Sequence, residues 1–410
     1  MNNILDDGVF PIVGWAGPSD EMIREDILSG MVEAGFTISH SSVNGGDAAM
    51  MRALDMAAKC GIRLNLQVPD WHVGDDFTFD EAKKKRIGEL VGMVKDHPGL
   101  YGYQIRDEPF APLLPTLAQV VRFIRDLDPY HLVYVNHNPP IEGWGLPTAE
   151  AFLTRWIELA QPQFLSYDHY PMTVATAEQI RRLEGEPYIF PEEKLYVKPD
   201  YFACLELYRR FSLAYNIPFW AFTNAVRHAH YPKPTEGQLR FQLMNDLVYG
   251  ARGVQYFTYA HDYCMVMPDG STTDTWQLAK RINHDIKILA GELVKLRNVG
   301  VFRTGKLWSG TQHLHRSHLP PLVECEGDPV TIGFFMDAED RLYLMLVNGS
   351  PCSWARLTLR VNAGALDEYH LIRQAYIAPY PPNPRDQMLI LAPGEGKLFR
   401  VGVKGARTNF

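Results

Sequence analysis

The chain has 410 residues, of which 46% are hydrophobic and 21% are charged, and its formal net charge is −8. This length exceeds one small domain and fits a large barrel with a smaller module, and the composition is typical of a globular protein with a sizeable core. The acidic balance excludes a protein that binds by neutralising phosphates, so no nucleic acid partner is expected. No apolar run reaches the length of a membrane-spanning helix, which excludes a membrane span.

The five cysteines are scattered without a Cys-x-x-Cys spacing, which predicts free thiols rather than a zinc site or a disulfide framework. No Gly-rich phosphate loop occurs either, and neither a metal nor another cofactor is predicted. The N-terminal segment MNNILDDGVF lacks the pattern of a signal peptide. The compartment therefore stays undecided: cytoplasmic for the sequence as it stands, and periplasmic or secreted if a leader has been removed.

Short apolar runs alternate with helical patterns through residues 9–297, and the alternation occurs eight times. Several helical stretches end in a glycine that leads straight into the next apolar run, as in EAGF, KCGI and HPGL, which is typical of βαβ units. Eight such units predict a (β/α)8 TIM barrel over residues 1–297, with a doubly wound sheet as the alternative. The predicted strands are, in chain order, residues 9–17, 36–43, 62–69, 100–109, 132–139, 164–171, 218–225 and 254–260.

From residue 298 the pattern changes to alternating apolar and polar residues with Gly, Asn and Asp turns, as in VTIGFFMDAEDRLYLMLVNGS and ARLTLRVN. This period of two predicts antiparallel β-structure, most simply a small β-sandwich over residues 298–410. The predicted fold class is therefore α/β: a TIM barrel followed by a C-terminal antiparallel β-sandwich domain.

Polar and aromatic residues follow nearly every predicted barrel strand at its C-terminal end, where a packed core would not place them. In a TIM barrel these strand ends meet on one face, and active sites are built on that face. The sequence therefore predicts a polar pocket with aromatic walls. The residues concerned are Trp15, His40, Ser41, Ser42, Asp70, Trp71, His72, Arg106, Asp107, Glu108, Asn136, His137, Asn138, Asp168, His169, Tyr170, Asn224, Tyr259, His261 and Asp262.

In the fourth strand, LYGYQIRDEP, the residues Gly102, Gln104, Arg106 and Glu108 share one face, and bulky apolar residues share the other. The small and polar face should line the barrel, which places Glu108 at its mouth and Arg106 one layer below. Asp107 is then expected to point away, into a loop or a helix N-terminus.

The same alternation in the sixth strand groups Ser166, Asp168 and Tyr170, so Glu108 and Asp168 form a candidate carboxylate pair. Glycoside hydrolysis uses such a pair, because one carboxylic acid protonates the leaving oxygen while a second carboxylate attacks the sugar or activates a water. Each acid also has a purely structural explanation. Asp168 could hold a loop, and Glu108 could pair only with Arg106.

The segment YQIRDEP resembles the strand-four acid motif (Asn-Glu-Pro or Asp-Glu-Pro) of clan A glycoside hydrolases, the TIM-barrel superfamily that includes β-galactosidases. GYQIRDEP, YDHYP, PTEGQLRFQLMNDLVYGARGVQYFTY and APGEGKLFRV are together similar to glycoside hydrolases of polysaccharide-degrading gut bacteria. The resemblance covers most of the predicted barrel and touches the predicted sandwich. It implies a glycoside hydrolase in which Glu108 is the general acid/base.

The resemblance also implies a nucleophilic glutamate at the end of strand seven, but this chain reads PFWAFTNAVRHAHYP there, with Thr223 and Asn224 and no acid. Three explanations stay open. Asp168 takes the second role, or Glu236 or Asp262 enters from a loop, or the barrel binds glycans without cleaving them. Glu236 also suits the first turn of a helix, where the helix dipole favours an acid.

The remaining pocket residues are predicted to bind the substrate. Aromatic side chains can stack on sugar faces, and amides and charged groups can hydrogen-bond to hydroxyls. The histidines near the strand ends lack the spacing of metal ligands, so hydrogen bonding is favoured over a metal site. The predicted substrate-binding residues are Trp15, Trp71, Gln104, Arg106, Asn136, Asn138, Tyr170, Asn224, Tyr259, His261 and Asp262.

The sequence therefore predicts a glycoside hydrolase that cleaves an oligo- or polysaccharide by carboxylate acid/base catalysis, with a carbohydrate as its partner. The alternative is a non-catalytic glycan-binding TIM barrel that lacks the strand-seven nucleophile. A third reading is a TIM-barrel enzyme of unrelated chemistry that uses the histidines.

Overall fold

The structure, a computed structural model, describes residues 3–174, 176, 178, 189–190, 195–260, 264–314, 323–361, 365–378 and 386–402. The chain divides into two compact units. The first comprises Met1–Tyr170, Leu207–Val226 and Arg252–Asn283, and the second comprises Pro171–Glu206, Arg227–Ala251 and His284–Phe410. No single cut in the chain separates these units, and the predicted domain boundary between residues 297 and 298 stays a prediction. No helix in the described ranges is long and apolar enough to cross a bilayer.

Eight parallel strands form a barrel in the first unit. With strands numbered along the whole chain, they are β1 (Ile12–Gly14), β2 (Ile38–Ser42), β3 (Arg63–Gln67), β4 (Leu100–Asp107), β5 (Leu132–Asn136), β6 (Leu165–Tyr167), β10 (Phe219–Asn224) and β11 (Val254–Phe257). Their order is β5-β4-β3-β2-β1-β11-β10-β6. A parallel bridge between His137 and Tyr167 joins the β5 and β6 edges and completes the ring. The predicted (β/α)8 barrel is confirmed.

The helices have the apolar spacing and the glycine stops from which they were predicted. In α4 (Leu114–Leu127) the buried residues Leu117, Val121 and Ile124 lie one turn apart. Helix α2 (Gly46–Cys60) ends at Gly61, whose φ of 75° is left-handed. Further helices are α1 (Glu25–Glu33), α3 (Glu81–Val94), α5 (Ala149–Ala160), α6 (Tyr201–Tyr215), α7 (Glu236–Val248) and α8 (Asp274–Leu293), with short 3-10 helices at Ile4–Asp6, Asp20–Met22 and Ala111–Leu113.

Gly99 lies directly before β4, against the backbone of α2. A Cβ atom added at Gly99 would lie 2.3 Å from the carbonyl oxygen of Leu54, and a backbone atom cannot move away cheaply. Gly99→Ala is therefore expected to lower the free energy of unfolding by about 2 to 3 kcal/mol in urea denaturation. Gly92→Ala in α3 is the control. Its Cβ would meet nothing within 4 Å, and the variant should gain about 0.5 to 1 kcal/mol. A similar change in the free energy of unfolding in both variants would contradict the close approach of Gly99 to the backbone of Leu54.

The second unit contains the predicted antiparallel β-structure as two sheets that share one apolar core. Phe334 and Leu344 enter this core from one sheet, and Leu357 and Leu391 enter it from the other. This arrangement is a β-sandwich, as predicted. The strands are β12 (Arg297–Arg303), β13 (Val323–Gly327), β14 (Val330–Met336), β15 (Leu342–Asn348), β16 (Ala355–Val361), β17 (Ala365–His370), β18 (Ala375–Ile377), β19 (Gln387–Leu391) and β20 (Gly396–Gly402), in the orders β12-β14-β15-β20-β17-β18 and β13-β16-β19.

A small sheet that follows β6 along the chain was not predicted. Its strands β7 (Met172–Val174), β8 (Ile189–Phe190) and β9 (Leu195–Val197) pair antiparallel in the order β7-β9-β8. Runs of two or three residues are too short to show a readable alternation of apolar and polar residues.

Candidate active site

A β-bulge in β4 determines which acids face the candidate site. The pairing of β4 with β5 shifts between Gln104 and Arg106, which leaves Ile105 as an extra residue. Beyond the bulge, Asp107 is in register with Asn136. Because paired residues of neighbouring strands face the same side of a sheet, Asp107 joins Gln104 on the barrel-facing side. The prediction that Asp107 points away was wrong, since a strict period of two does not continue through a bulge.

Arg106 is directed away from the acids by the same bulge. Its guanidinium donates to the carbonyl oxygen of Val73 at 3.1 Å and pairs with Asp75 at 2.8 Å, both on the loop after β3. The expectation that Arg106 lies one layer below Glu108 inside the barrel is therefore corrected.

Glu108 follows β4 in a left-handed backbone conformation, with a φ of 46°. For a residue other than glycine this conformation costs about 1 kcal/mol or more, and such residues cluster at functional sites. The Glu108 N–H donates to the carbonyl oxygen of Asn136 at 2.9 Å, which holds the turn. The exposed Glu108 carboxylate lies close enough to Asp168, directly after β6, to raise the pKa of Asp168. The two acids predicted to be catalytic therefore belong to the same site.

Asn136 links the acids of β4 to the acid after β6. Its Nδ2 donates to Asp107 Oδ1 at 3.0 Å and to Asp168 Oδ1 at 2.9 Å. The Ser166 hydroxyl donates to Asn136 Oδ1 at 2.7 Å, which fixes the orientation of the amide. Ser166 and Asp168 therefore share a face, as their alternation in the sixth strand predicted.

A second layer of buried polar groups supports Asn136 from below. Gln255 Nε2 donates to Ser166 Oγ at 2.9 Å, and the Tyr134 hydroxyl lies 3.0 Å from Ser166 Oγ and donates to Gln255 Oε1. All three side chains are fully buried. Satisfied networks of this kind rigidify their surroundings. Tyr134 and Gln255 were missed in the sequence, although a glutamine inside the apolar run VQYF is a signal for an inward polar residue.

The environment of Asp168 keeps it neutral. Burial is the largest cause, and the neighbouring Glu108 and Asp107 carboxylates add to it, so the pKa of Asp168 lies well above its usual range despite the Asn136 hydrogen bond. The raised pKa favours the protonated, neutral form of Asp168.

Asp107 is exposed at the mouth of the site. Partial desolvation by the surrounding protein, together with the Glu108 charge, raises the pKa of Asp107 to about 6, although the Asn136 hydrogen bond opposes the shift. Asp107 and Asp168 therefore differ in state at neutral pH. Asp168 holds a proton, and Asp107 is ionised.

Asp107→Asn is expected to change stability in a pH-dependent way. The pKa of about 6 in the folded protein exceeds that of an unfolded aspartate, so the stabilisation is present below about pH 4 and is lost as the pH rises through 6. The variant removes the charge and should gain about 1 kcal/mol at pH 8, after allowance for screening of the partly exposed group. Little change is expected at pH 4. The measurement is urea denaturation of this variant at both pH values, and Asp126→Asn, on an exposed position of α4, is the control. An equal gain in the free energy of unfolding at pH 4 and pH 8 would contradict the pKa of Asp107.

The floor of the barrel interior carries polar groups with unused hydrogen-bonding capacity. His40 is in register with Asn65, and Asn65 Nδ2 donates to Gln104 Oε1 at 3.3 Å. Both His40 ring nitrogens, Asn65 Oδ1 and Gln104 Nε2 have no partner among the residues that the structure describes. Burial, with a smaller contribution from His72, lowers the pKa of His40 to about 3, so its ring is neutral. Gln104 was a predicted binding residue, whereas Asn65 was missed.

The predicted aromatic residues fall into two groups. Trp15 stacks on His40 at 4.0 Å between ring centroids, and Tyr170 contacts Phe257 at 5.4 Å; both Trp15 and Tyr170 keep a small exposed fraction.

Trp71 and Tyr259 are fully buried. The Trp71 indole donates to the carbonyl oxygen of Leu66 at 3.2 Å and packs on Tyr103, and Tyr259 packs on Phe36. The predicted stacking role of Trp71 and Tyr259 on a sugar is corrected, because both rings belong to the core.

The remaining predicted residues have the following positions. Asn138 is buried and donates to the carbonyl oxygen of Pro109 at 2.9 Å, so it braces the loop after Glu108. Asn224 is buried at the end of β10. His261 and Asp262 lie outside the described residues.

Two further groups considered in the sequence have structural partners. Glu236 begins α7 and pairs with Arg240 at 2.5 Å, as its first-turn position suggested. His137 Nδ1 lies 2.9 Å from the Tyr208 hydroxyl. Within the described ranges no three or more His, Cys, Asp or Glu side chains are arranged to hold a metal ion.

No protein-family model matches the chain, and no curated protein matches it. Among solved structures it is similar to a Bacteroides fragilis protein provisionally named alpha-galactosidase/melibiase, with a TM-score of 0.51 and 10% identity over 96% of this chain and 79% of that one. It is also similar to the beta-galactosidase of Marinomonas ef1, with a TM-score of 0.46 and 14% identity over 70% of this chain, and it spans 62% of that enzyme's length. The endoglucanase of Pseudomonas stutzeri gives a TM-score of 0.43 and 14% identity over 67% of this chain and 93% of that one.

The first of these likenesses, which extends over nearly the whole chain, shows the fold. The chain has the TIM-barrel fold found in glycoside hydrolases, and the resemblance drawn from its motifs is confirmed at the level of fold.

Proposed function

We propose that this protein is a glycoside hydrolase that cleaves an oligo- or polysaccharide, with Glu108 as the acid that protonates the leaving oxygen. One observation carries the proposal. The carboxyl groups of Asp107, Glu108 and Asp168 interact with one another beyond the carboxyl ends of β4 and β6. That end of a TIM barrel is where active sites are built, and carboxyls held in different protonation states are what acid/base hydrolysis of a glycoside uses.

The roles of the three acids follow from their exposure and charge. Asp168 is buried and neutral, so it keeps its proton beside Glu108. Glu108 is exposed and is the acid that can reach a glycosidic oxygen and protonate it. The negative charge then left on Glu108, with that of Asp107, stabilises the positive charge that develops on the sugar in the transition state. Gln104 and Asn136 would hydrogen-bond or orient groups around the sugar, and Trp15 and Tyr170 would provide apolar walls.

The second candidate is a glycan-binding barrel without catalysis, and one observation favours it. Where the resemblance implies the second carboxylate, the end of β10 offers Thr223 and Asn224 instead of an acid. Without a second acid on the opposite face of the sugar, the barrel would bind a glycan and leave its glycosidic bond intact.

The test is a screen of wild type and Glu108→Gln against aryl glycosides and plant and host polysaccharides, with binding measured on the same substrates. The wild type should release product from at least one of them. Glu108→Gln should lose turnover and keep its affinity, because the amide retains the shape of the side chain and removes the proton. Binding by wild type without turnover on any substrate would establish the glycan-binding alternative.

A further inference from the structure

The chain lacks an acid where the second carboxylate of a two-acid mechanism is expected. The end of β10 offers Thr223 and Asn224. A nucleophile must reach the sugar face opposite the leaving group, and Asp168 does not stand there, because one amide nitrogen of Asn136 holds it beside Asp107.

Asp107 is not placed for direct attack on the sugar either. Asp107 and Glu108 are consecutive residues, with Cα atoms about 3.8 Å apart, and both leave the same strand end. Their carboxyl groups therefore approach a bound ring from one side. The bulge and the left-handed turn at Glu108 nevertheless direct both carboxyl groups into the site. Asp107 must therefore have a role there other than nucleophilic attack.

We propose that the nucleophile belongs to the substrate: the site takes a β-linked 2-acetamido-2-deoxyhexoside, with Glu108 as proton donor and Asp107 as acceptor of the acetamido N–H. This inference rests on the proposed function and names its substrate class. Some glycoside hydrolases use such substrate assistance in place of a protein nucleophile. A carboxylate beside the acid is then well placed, because the acetamido group swings to the ring carbon from which the leaving group departs.

The reaction balances in two steps. The acetamido oxygen forms a bond to C1 as the bond from C1 to the leaving oxygen breaks, and the proton of Glu108 passes to that oxygen. The resulting oxazolinium ion keeps its N–H, which donates to the Asp107 carboxylate. Water then adds to C1, the bond between C1 and the acetamido oxygen breaks, and Glu108 takes the proton of the water. No oxidant, reductant or further reactant is needed.

The hydrogen bonds of Asp107 suit this task. Asn136 Nδ2 holds Oδ1 of Asp107, so the other oxygen stays available to an N–H donor at the open mouth of the site. The pKa of about 6 makes Asp107 an anion at neutral pH, as the acceptor of an N–H bond and the partner of an oxazolinium cation must be.

An independent observation points to a polar ligand inside the same barrel, below the acids. Gln104 precedes Asp107 on the barrel-facing side of β4, and Asn65 bonds to it from β3. Both are at least nine-tenths buried, yet Gln104 Nε2 and Asn65 Oδ1 have no partner in the part of the chain that the structure describes. An unpartnered donor and acceptor at this depth match a ligand that carries both kinds of group, such as a sugar with hydroxyl and amide substituents.

The substrate-assisted reaction also determines the anomeric configuration of the glycosidic linkage. The acetamido oxygen reaches C1 only from the face opposite the leaving group, so the two substituents must be trans. In gluco- and galacto-configured sugars the trans arrangement is the β-glycoside, and the overall reaction retains that configuration.

The experiment compares matched aryl substrates on the full chain. 4-Nitrophenyl 2-acetamido-2-deoxy-β-glucoside and -galactoside are measured beside the corresponding β-glucoside and β-galactoside. The acetamido sugars should have a kcat/KM at least about 10²-fold higher, because only they carry the nucleophile. Replacement of the N-acetyl group by N-trifluoroacetyl should slow the wild type at least about tenfold, since fluorine withdraws electrons from the attacking oxygen.

Variants then separate the roles of the acids. Asp107→Asn should lower kcat on the N-acetyl substrate by about 10²-fold and flatten the rise in rate as the pH passes through 6, while Asp126→Asn should match wild type.

The outcomes distinguish the two proposals. Equal or faster hydrolysis of sugars without the acetamido group would overturn substrate assistance and leave the glycoside hydrolase proposal standing, as would unchanged activity in Asp107→Asn. Binding without hydrolysis of any glycoside would overturn both.

Discussion

Glu108→Gln is expected to lower kcat by about 10³-fold while the affinity for substrate changes less than about threefold. A positioned general acid contributes about 10²- to 10⁴-fold, and the amide cannot protonate the leaving oxygen. Substrate contacts made in the ground state are unaffected, so kcat and kcat/KM should fall together. Steady-state kinetics with an aryl glycoside measure both constants.

The most specific test of this prediction is how the loss of kcat depends on the leaving group. An aryl group that departs readily as its anion needs little protonation, so the loss in Glu108→Gln should shrink as the leaving group becomes more acidic. Glu142→Gln, on an exposed loop position after β5, is the matched control and should behave as wild type for every leaving group. A loss that is uniform across leaving groups would assign Glu108 a structural role instead.

Asn136→Asp is expected to cost about 3 to 5 kcal/mol of folding free energy at pH 7.5. Asn136 is 1% exposed and holds Asp107 and Asp168 with one amide nitrogen, so the substitution removes the donor and adds a buried carboxyl between two others. The loss should be smaller at pH 5, because protonation of the new carboxyl removes its charge and restores a donor.

Urea denaturation at the two pH values measures this effect, and Asn216→Asp is the matched control. Asn216 is exposed, and its left-handed backbone accepts aspartate, so its variant should stay within about 0.5 kcal/mol of wild type at both pH values. A small, pH-independent loss of folding free energy in Asn136→Asp would mean that Asn136 does not hydrogen-bond to both Asp107 and Asp168.

The barrel could be predicted from the sequence because its signals are repeated. The helix–Gly–strand junctions at Gly61 and Gly99 recur along the chain, and each has a physical cause in the structure, a left-handed helix end at Gly61 and a close backbone approach at Gly99. Glu108 and Asp168 could be placed at the barrel mouth for the same reason, since strand ends in this fold always converge.

Asp107 could not be placed, because its orientation depends on one extra residue in β4. Up to Gln104 the alternation predicts the inward side chains correctly, and after Ile105 it misplaces Arg106 and Asp107. A bulge is a property of the pairing between β4 and β5, and it leaves no mark in the local sequence. Arg106 was misplaced by the same cause.

The aromatic residues show a different limit. Trp71 and Trp15 both follow strands, and composition cannot distinguish a ring that closes the core from one at the pocket wall. The difference lies in the carbonyl oxygen of Leu66, which accepts the Trp71 indole N–H and holds that ring inside. Contacts between segments distant in sequence decide such cases.

The most direct test of the central claim, that the carboxyls of β4 and β6 cleave a glycosidic bond, is mass spectrometry of products formed in ¹⁸O-labelled water. Wild type should cleave a β-linked glycoside so that the new oxygen enters the sugar at C1 and the released alcohol keeps its original oxygen, and Glu108→Gln should leave the same glycoside intact. Recovery of an intact, unlabelled glycoside from wild type that demonstrably binds it would contradict the claim.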